Sequence, residues 1–106
     1  MKLEKKDKYT FVSVNQASFN DFKLEWRSLL TGHLVLEVSE NINIDDTIIS
    51  LFLNIASDFK QNGMSFVVVK SGVDIDDFPE SINIVPTLQE AEDVLEMEAI
   101  ERDLGF

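Results

Sequence analysis

The order of apolar and polar positions changes period several times along this chain, and each change marks an element. Residues 9–14 alternate, with Tyr9, Phe11 and Ser13 on one side and Thr10, Val12 and Val14 on the other, as a strand with two different faces does. An extended piece at 1–4 precedes them across a charged turn, which predicts a hairpin or one strand with an extended lead-in. In residues 18–30 the apolar groups Phe19, Phe22, Trp26, Leu29 and Leu30 recur at the intervals of one helix face, with Ser18 as the expected cap and Gly32 beyond the end. The next stretch, "HLVLEVS", is apolar except for Glu37 and reads as a buried central strand.

Residues 41–59, "NINIDDTIISLFLNIASDF", switch from alternation to helical spacing at Asp45, Asp46 and Thr47. From there Ile48, Leu51, Phe52, Ile55 and Phe59 form a stripe, and Asn62 with Gly63 suits a helix end. "MSFVVV" follows as a second buried strand, which completes a βαβ unit whose crossover is nearly always right-handed. Residues 71–81 read as an acidic loop with one helical turn, and "INIV" as a short strand. After Pro86, Thr87 and Glu90 form a Thr-x-x-Glu capping box, and Leu88, Ala91, Val94 and Leu95 are the expected buried stripe of a last helix. That helix continues as an acidic tail over 96–106, where Met97, Ile100, Leu104 and Phe106 are expected to pack back on the domain, with contact to a partner as the alternative.

Composition adds that all of this belongs to one domain over residues 1–106. Hydrophobic residues make up 44% of the 106, including eight Phe and one Trp, enough for an ordinary core. Twenty Asp and Glu against nine Lys and Arg give a net charge of −11. Such a surface repels phosphate backbones and anionic lipids, so neither nucleic acid nor a membrane is an expected partner. The one basic cluster, Lys2, Lys5, Lys6 and Lys8 around Asp7, reads as a polar hairpin turn. With no apolar run behind Met1 and no stretch approaching the roughly 18 apolar residues of a membrane span, the expected location is cytoplasmic.

The inventory of reactive groups is thin. Cysteine is absent, which removes disulfides, thiolate metal sites and thiol catalysis. One histidine, His33, cannot build a zinc site, and no nucleophile or orienting partner is spaced to join it in a catalytic set. The glycines stand singly at 32, 63, 72 and 105, so there is no phosphate-cradling loop. Asp74, Asp76, Asp77 and Glu80 in "DIDDFPE" lack the ligand spacing of a calcium hand and read as a solvated loop. The expectation is a protein with no catalytic residues, no metal and no cofactor.

Written out in order, the elements resemble the STAS domain of bacterial anti-sigma factor antagonists and sulfate-transporter tails. Two stretches carry the resemblance: "LVLEVSENINIDDTIISLFLNIASDFKQNGMSFVVV", which keeps the family's strand, switch segment, helix and strand spacing, and the closing "VPTLQEAEDVL". The resemblance implies an α/β fold, a single STAS-like domain with a central mixed sheet of four to five strands and helices packed mainly on one face. By position Asp45 matches the family's aspartate, Asp46 its first serine, and Thr47 the serine that a partner kinase phosphorylates. The chain departs from the family at Asp46, at Ile48 and Ile49, where Gly and Leu are usual, and at "NQAS", where a Gly-x-Leu-Asp turn is usual.

The function the resemblance implies is a non-enzymatic regulatory module. It would dock a protein partner, an anti-sigma factor or a kinase-like ATPase, through Asp45, Asp46, Thr47, Ile48, Ser50 and Leu51, with Thr47 as the candidate phosphorylation site. A phosphate there gains from the helix N-terminus and is opposed by Asp45 and Asp46; the competing reading makes Thr47 part of a plain helix start. The alternative function is a scaffolding or dimerisation domain, a homodimer included, that works without phosphorylation.

Overall fold

A computed structural model describes residues 1–105 of the chain; Phe106 lies outside the described residues. Five strands form one sheet in the order β1 (Lys2–Lys5), β2 (Thr10–Val14), β3 (Leu34–Val38), β4 (Phe66–Val69) and β5 (Asn83–Val85). The first pair is antiparallel, closed by the lysine turn, and the other three pairs are parallel. The expected mixed sheet and hairpin are therefore both present. Helix α1 (Gln16–Glu25) joins β2 to β3, α2 (Asp46–Gln61) joins β3 to β4, and α3 (Leu88–Asp103) follows β5.

The register explains the layers. Val12 stands beside Leu36, Leu36 beside Val68, and Val68 beside Ile84, so one apolar row crosses the sheet on a single face. Phe19, Phe22 and Trp26 from α1 and its continuing 3-10 turn pack there with Phe52, Ile55 and Phe59 of α2. The residues between them in each strand, Val35, Val67, Val69 and Val85, point the other way and meet Ala91 and Leu95 of α3. Two helices thus cover one face and one helix covers the other. Tyr9 and Phe11 also lie on the α3 side and are only half-buried.

The connection between β4 and β5 contains no α-helix. Its short 3-10 turn at Ile75–Asp77 sits in a loop whose Ile82 is buried and whose Val73 and Phe78 pack on the α1–α2 side of the core. At the sheet's two ends, β1 is exposed along its whole length and β5 has three residues.

Local chemistry departs from expectation at several points. Asn15, not Ser18, caps α1: its side chain accepts from the Ser18 N–H at 2.9 Å, and the Ser18 hydroxyl accepts from the Asn15 N–H at 3.0 Å. This reciprocal pair begins the helix three residues earlier than a Ser18 cap predicts. At α3, Thr87 accepts from the Glu90 N–H at 3.2 Å, but the return bond from the Glu90 carboxylate is not made, so half of the expected box forms. Leu88, expected in the buried stripe, is 36% exposed at the first residue of α3. Gly63 ends α2 at φ +71°, a conformation that favours glycine, as its place after Asn62 predicts.

Met97, Ile100 and Leu104 do not pack back on the domain: each is more than half exposed. The helix has already committed Ala91 and Leu95 to the sheet, and these three residues lie on its other side. The fourth residue of that expectation, Phe106, lies outside the described residues. No helix among the described residues is long and apolar enough to cross a membrane.

Candidate functional site

The strand-to-helix junction after β3 is held from three directions. Ser39 N–H donates to the carbonyl of Val14, extending the β2–β3 ladder by one bond, and Ile42 N–H donates to Ser39 O in a turn. Ile42 itself is buried in the core and pins the loop to the sheet. Gln16 at the start of α1 donates from its side-chain amide to Asn41 O at 3.1 Å, and Lys70 at the end of β4 reaches Glu40 O at 3.4 Å. A backbone tied this way presents the start of α2 in a fixed direction.

Asp45 caps α2: its Oδ1 accepts from the Ile48 N–H at 3.0 Å, and its carbonyl accepts from Ile49 N–H. The helix therefore begins at Asp46, and Thr47 is its second residue. The Thr47 hydroxyl makes no hydrogen bond within the described residues and its side chain is exposed. This separates two roles that the sequence leaves joined, since the capping falls to Asp45 and Thr47 is left free. Thr87 shows the contrast, its hydroxyl being engaged as the cap of α3.

Of the six residues expected to meet a partner, the structure brings Asp45, Asp46, Thr47 and Ser50 to the surface, with Ser50 one helical turn beyond Asp46 and Thr47. Ile48 and Leu51 are half-buried and pack against the core, so their side chains anchor α2 rather than extend the exposed strip. The strip is acidic, with Glu40 nearby and Lys70 as the cation that reaches the loop. Asp46 also lies in the first turn of α2, where a negative charge is favoured by the helix dipole.

Away from this junction, a cleft of about 560 Å³ opens between the start of β2 and α3, lined by Tyr9, His33, Glu92, Leu95, Glu96 and Ala99 among others. Tyr9 donates to Glu92 Oε2 at 2.8 Å. Burial, then the hydrogen bond and charge of Glu92, push the pKa of the Tyr9 hydroxyl up to about 12. His33 Nδ1 accepts from the Ser65 N–H at 2.9 Å, linking the entrances of β3 and β4, and Arg102 of α3 donates to Ser65 Oγ at 3.1 Å. Burial first, then the Arg102 charge, lowers the His33 pKa, so the ring is held neutral with Nδ1 as the acceptor. The sequence carries no signal for these contacts, which join residues 83, 32 and 37 positions apart.

Among the described residues, no three His, Cys, Asp or Glu side chains gather as a metal site would require. No family model matches the chain, and no curated protein matches it.

Proposed function

We propose that the chain is a non-enzymatic, cytoplasmic protein-binding module of the STAS type, which docks a regulatory protein partner through the start of α2 and is switched by phosphorylation of Thr47. The observation that carries this reading is the free, exposed Thr47 hydroxyl on the second residue of a helix already capped by Asp45. Phosphorylation there would cost no cap. It would add about −1.5 to −2 charges beside Asp45 and Asp46, a change large enough to repel an acidic partner surface or recruit a basic one. The first-turn N–H groups of α2 stabilise the added phosphate, while the neighbouring carboxylates keep it exposed rather than folded back. An anti-sigma factor or its kinase-like ATPase is the class of partner that the resemblance supplies.

Intact-mass measurement on protein purified from its own host tests the modification. A population heavier by one phosphate, absent from the Thr47→Val variant, supports it; a single unmodified species under conditions that vary growth and stress counts against it. For the switch itself, Thr47→Glu is expected to remain folded and to lose the partner that the unmodified chain captures. Unchanged capture would sink it.

A second reading, a scaffolding domain that works without phosphorylation, is favoured by the exposed apolar residues of α3. It predicts partner binding indifferent to every substitution at Thr47.

A further inference from the structure

Helix α3 is apolar on two sides. Ala91 and Leu95 face the sheet, while Met97, Ile100 and Leu104 recur at intervals of three and four on the other side and are 54%, 53% and 65% exposed. Solvent-facing helix positions are normally polar, so three large apolar side chains in about two turns form a stripe left uncovered by the described residues.

The stripe does not stand alone. Met97 also forms one wall of a groove of about 490 Å³ between α3 and the β4–β5 loop, whose other apolar walls include Val73, Ile75, Val85, Pro86 and Val94. Ile75 is itself 57% exposed at the mouth. The groove and the stripe are therefore one continuous apolar track with Met97 at the join.

Charge decides what fits. Asp74, Glu90 and Asp93 line the groove, and Glu101 is exposed next to Ile100. The single cation of α3, Arg102, is turned inward to Ser65. A second copy packed through the same face would set carboxylates against carboxylates around the apolar contact, which disfavours that occupant. A helix with an apolar stripe flanked by Lys or Arg matches both the track and its acidic border.

We propose that the outer face of α3, with the adjoining groove, docks a basic amphipathic helix of another protein, one bulky apolar side chain entering the groove beside Met97. The stripe belongs to α3, which covers the opposite face of the sheet from α2, and the surface does not depend on Thr47.

A synthetic amphipathic helix of roughly 18 residues, leucine on one face and lysine on the flanks, serves as the probe. Binding is measured by isothermal titration to the full chain, to a Met97→Ser/Ile100→Ser variant and to Thr47→Val. Both altered residues of the first variant are exposed, and its thermal unfolding is compared with that of the parent to establish that the fold is kept. The expected result is binding that weakens with added salt, falls about tenfold or more in the double variant, and is unaffected by Thr47→Val. A counterpart peptide with glutamate for lysine, and a scrambled peptide of the same composition, are expected not to bind.

Four results would overturn the proposal: no binding of the lysine peptide, equal binding to the double variant, equal binding of either control peptide, or self-association of the chain that the double variant abolishes. The last would name a second copy as the occupant.

Discussion

Thr47 and Asp45 sit two residues apart and do different work. Asp45 satisfies the Ile48 N–H, one of the donors that a helix start otherwise leaves open, whereas the Thr47 hydroxyl has no partner among the described residues. Asp45→Ala is therefore expected to cost about 1 kcal/mol of folding stability, and Thr47→Val to stay within about 0.5 kcal/mol of the parent, as read from urea denaturation midpoints. Equal losses at the two positions would mean that Thr47 shares the capping. That a cap falls among Asp45, Asp46 and Thr47 was legible in the sequence, because a polar run before an apolar helical stripe is where a helix start is expected. The threonine's freedom was not, since any of three adjacent polar residues could have supplied the cap. The same ambiguity misplaced the start of α1, where Asn15 and Ser18 are both competent and the reciprocal pairing gives the cap to the earlier one.

At the scale of elements, the strands and helices followed from periodicity because each strand type has its own signature here. The alternating β2 lies in a half-covered part of the sheet, and the unbroken apolar runs of β3 and β4 are covered on both sides. Periodicity after the Thr87 cap put Ala91, Val94 and Leu95 on the inner side of α3, where they pack with Val35, Val67 and Val85. What it could not supply was the fate of the second stripe, because Met97, Ile100 and Leu104 are as apolar as the first and only the fold shows that they stay exposed. The tie between β3 and β4 is likewise a tertiary fact. His33 must be neutral to accept the Ser65 N–H, since a protonated ring has no acceptor to offer. The unfolded chain takes up this proton near the ordinary value of 6.5, and the folded chain only at lower pH. The bond's contribution is thus complete above about pH 6.5 and is lost as pH falls through the folded value. Arg102 reinforces the shift and Glu98 opposes it, both from α3. Urea midpoints are expected to fall between pH 7.5 and 5.5 in the parent, with a shallower fall in His33→Asn, whose amide oxygen can still accept without titrating. Identical slopes would remove His33 from the account.

For the whole molecule the dominant fact is uncompensated charge. A net −11 is spread over 106 residues, and among the described residues one ion pair forms, Lys6 with Glu4 at 3.0 Å, on the exposed hairpin. Folding gathers these carboxylates into a small volume and their mutual repulsion opposes it. The thermal midpoint is expected to rise as sodium chloride is raised from about 10 mM to about 150 mM, the range over which the screening length shrinks from about 30 Å to about 8 Å. A flat response would show that the acids are spaced widely enough not to matter. The exposed strand β1 has a different consequence at this scale. An open strand edge offers backbone groups that any extended peptide could zip onto, but here it carries Lys2 and Lys5, and β5 at the opposite end offers three residues. Neighbours are thus discouraged from growing the sheet sideways, a mode of contact that reads little sequence. Whatever joins this chain must address its side chains, and so each association can be strengthened, weakened or redirected by single substitutions without disturbing the fold that displays them.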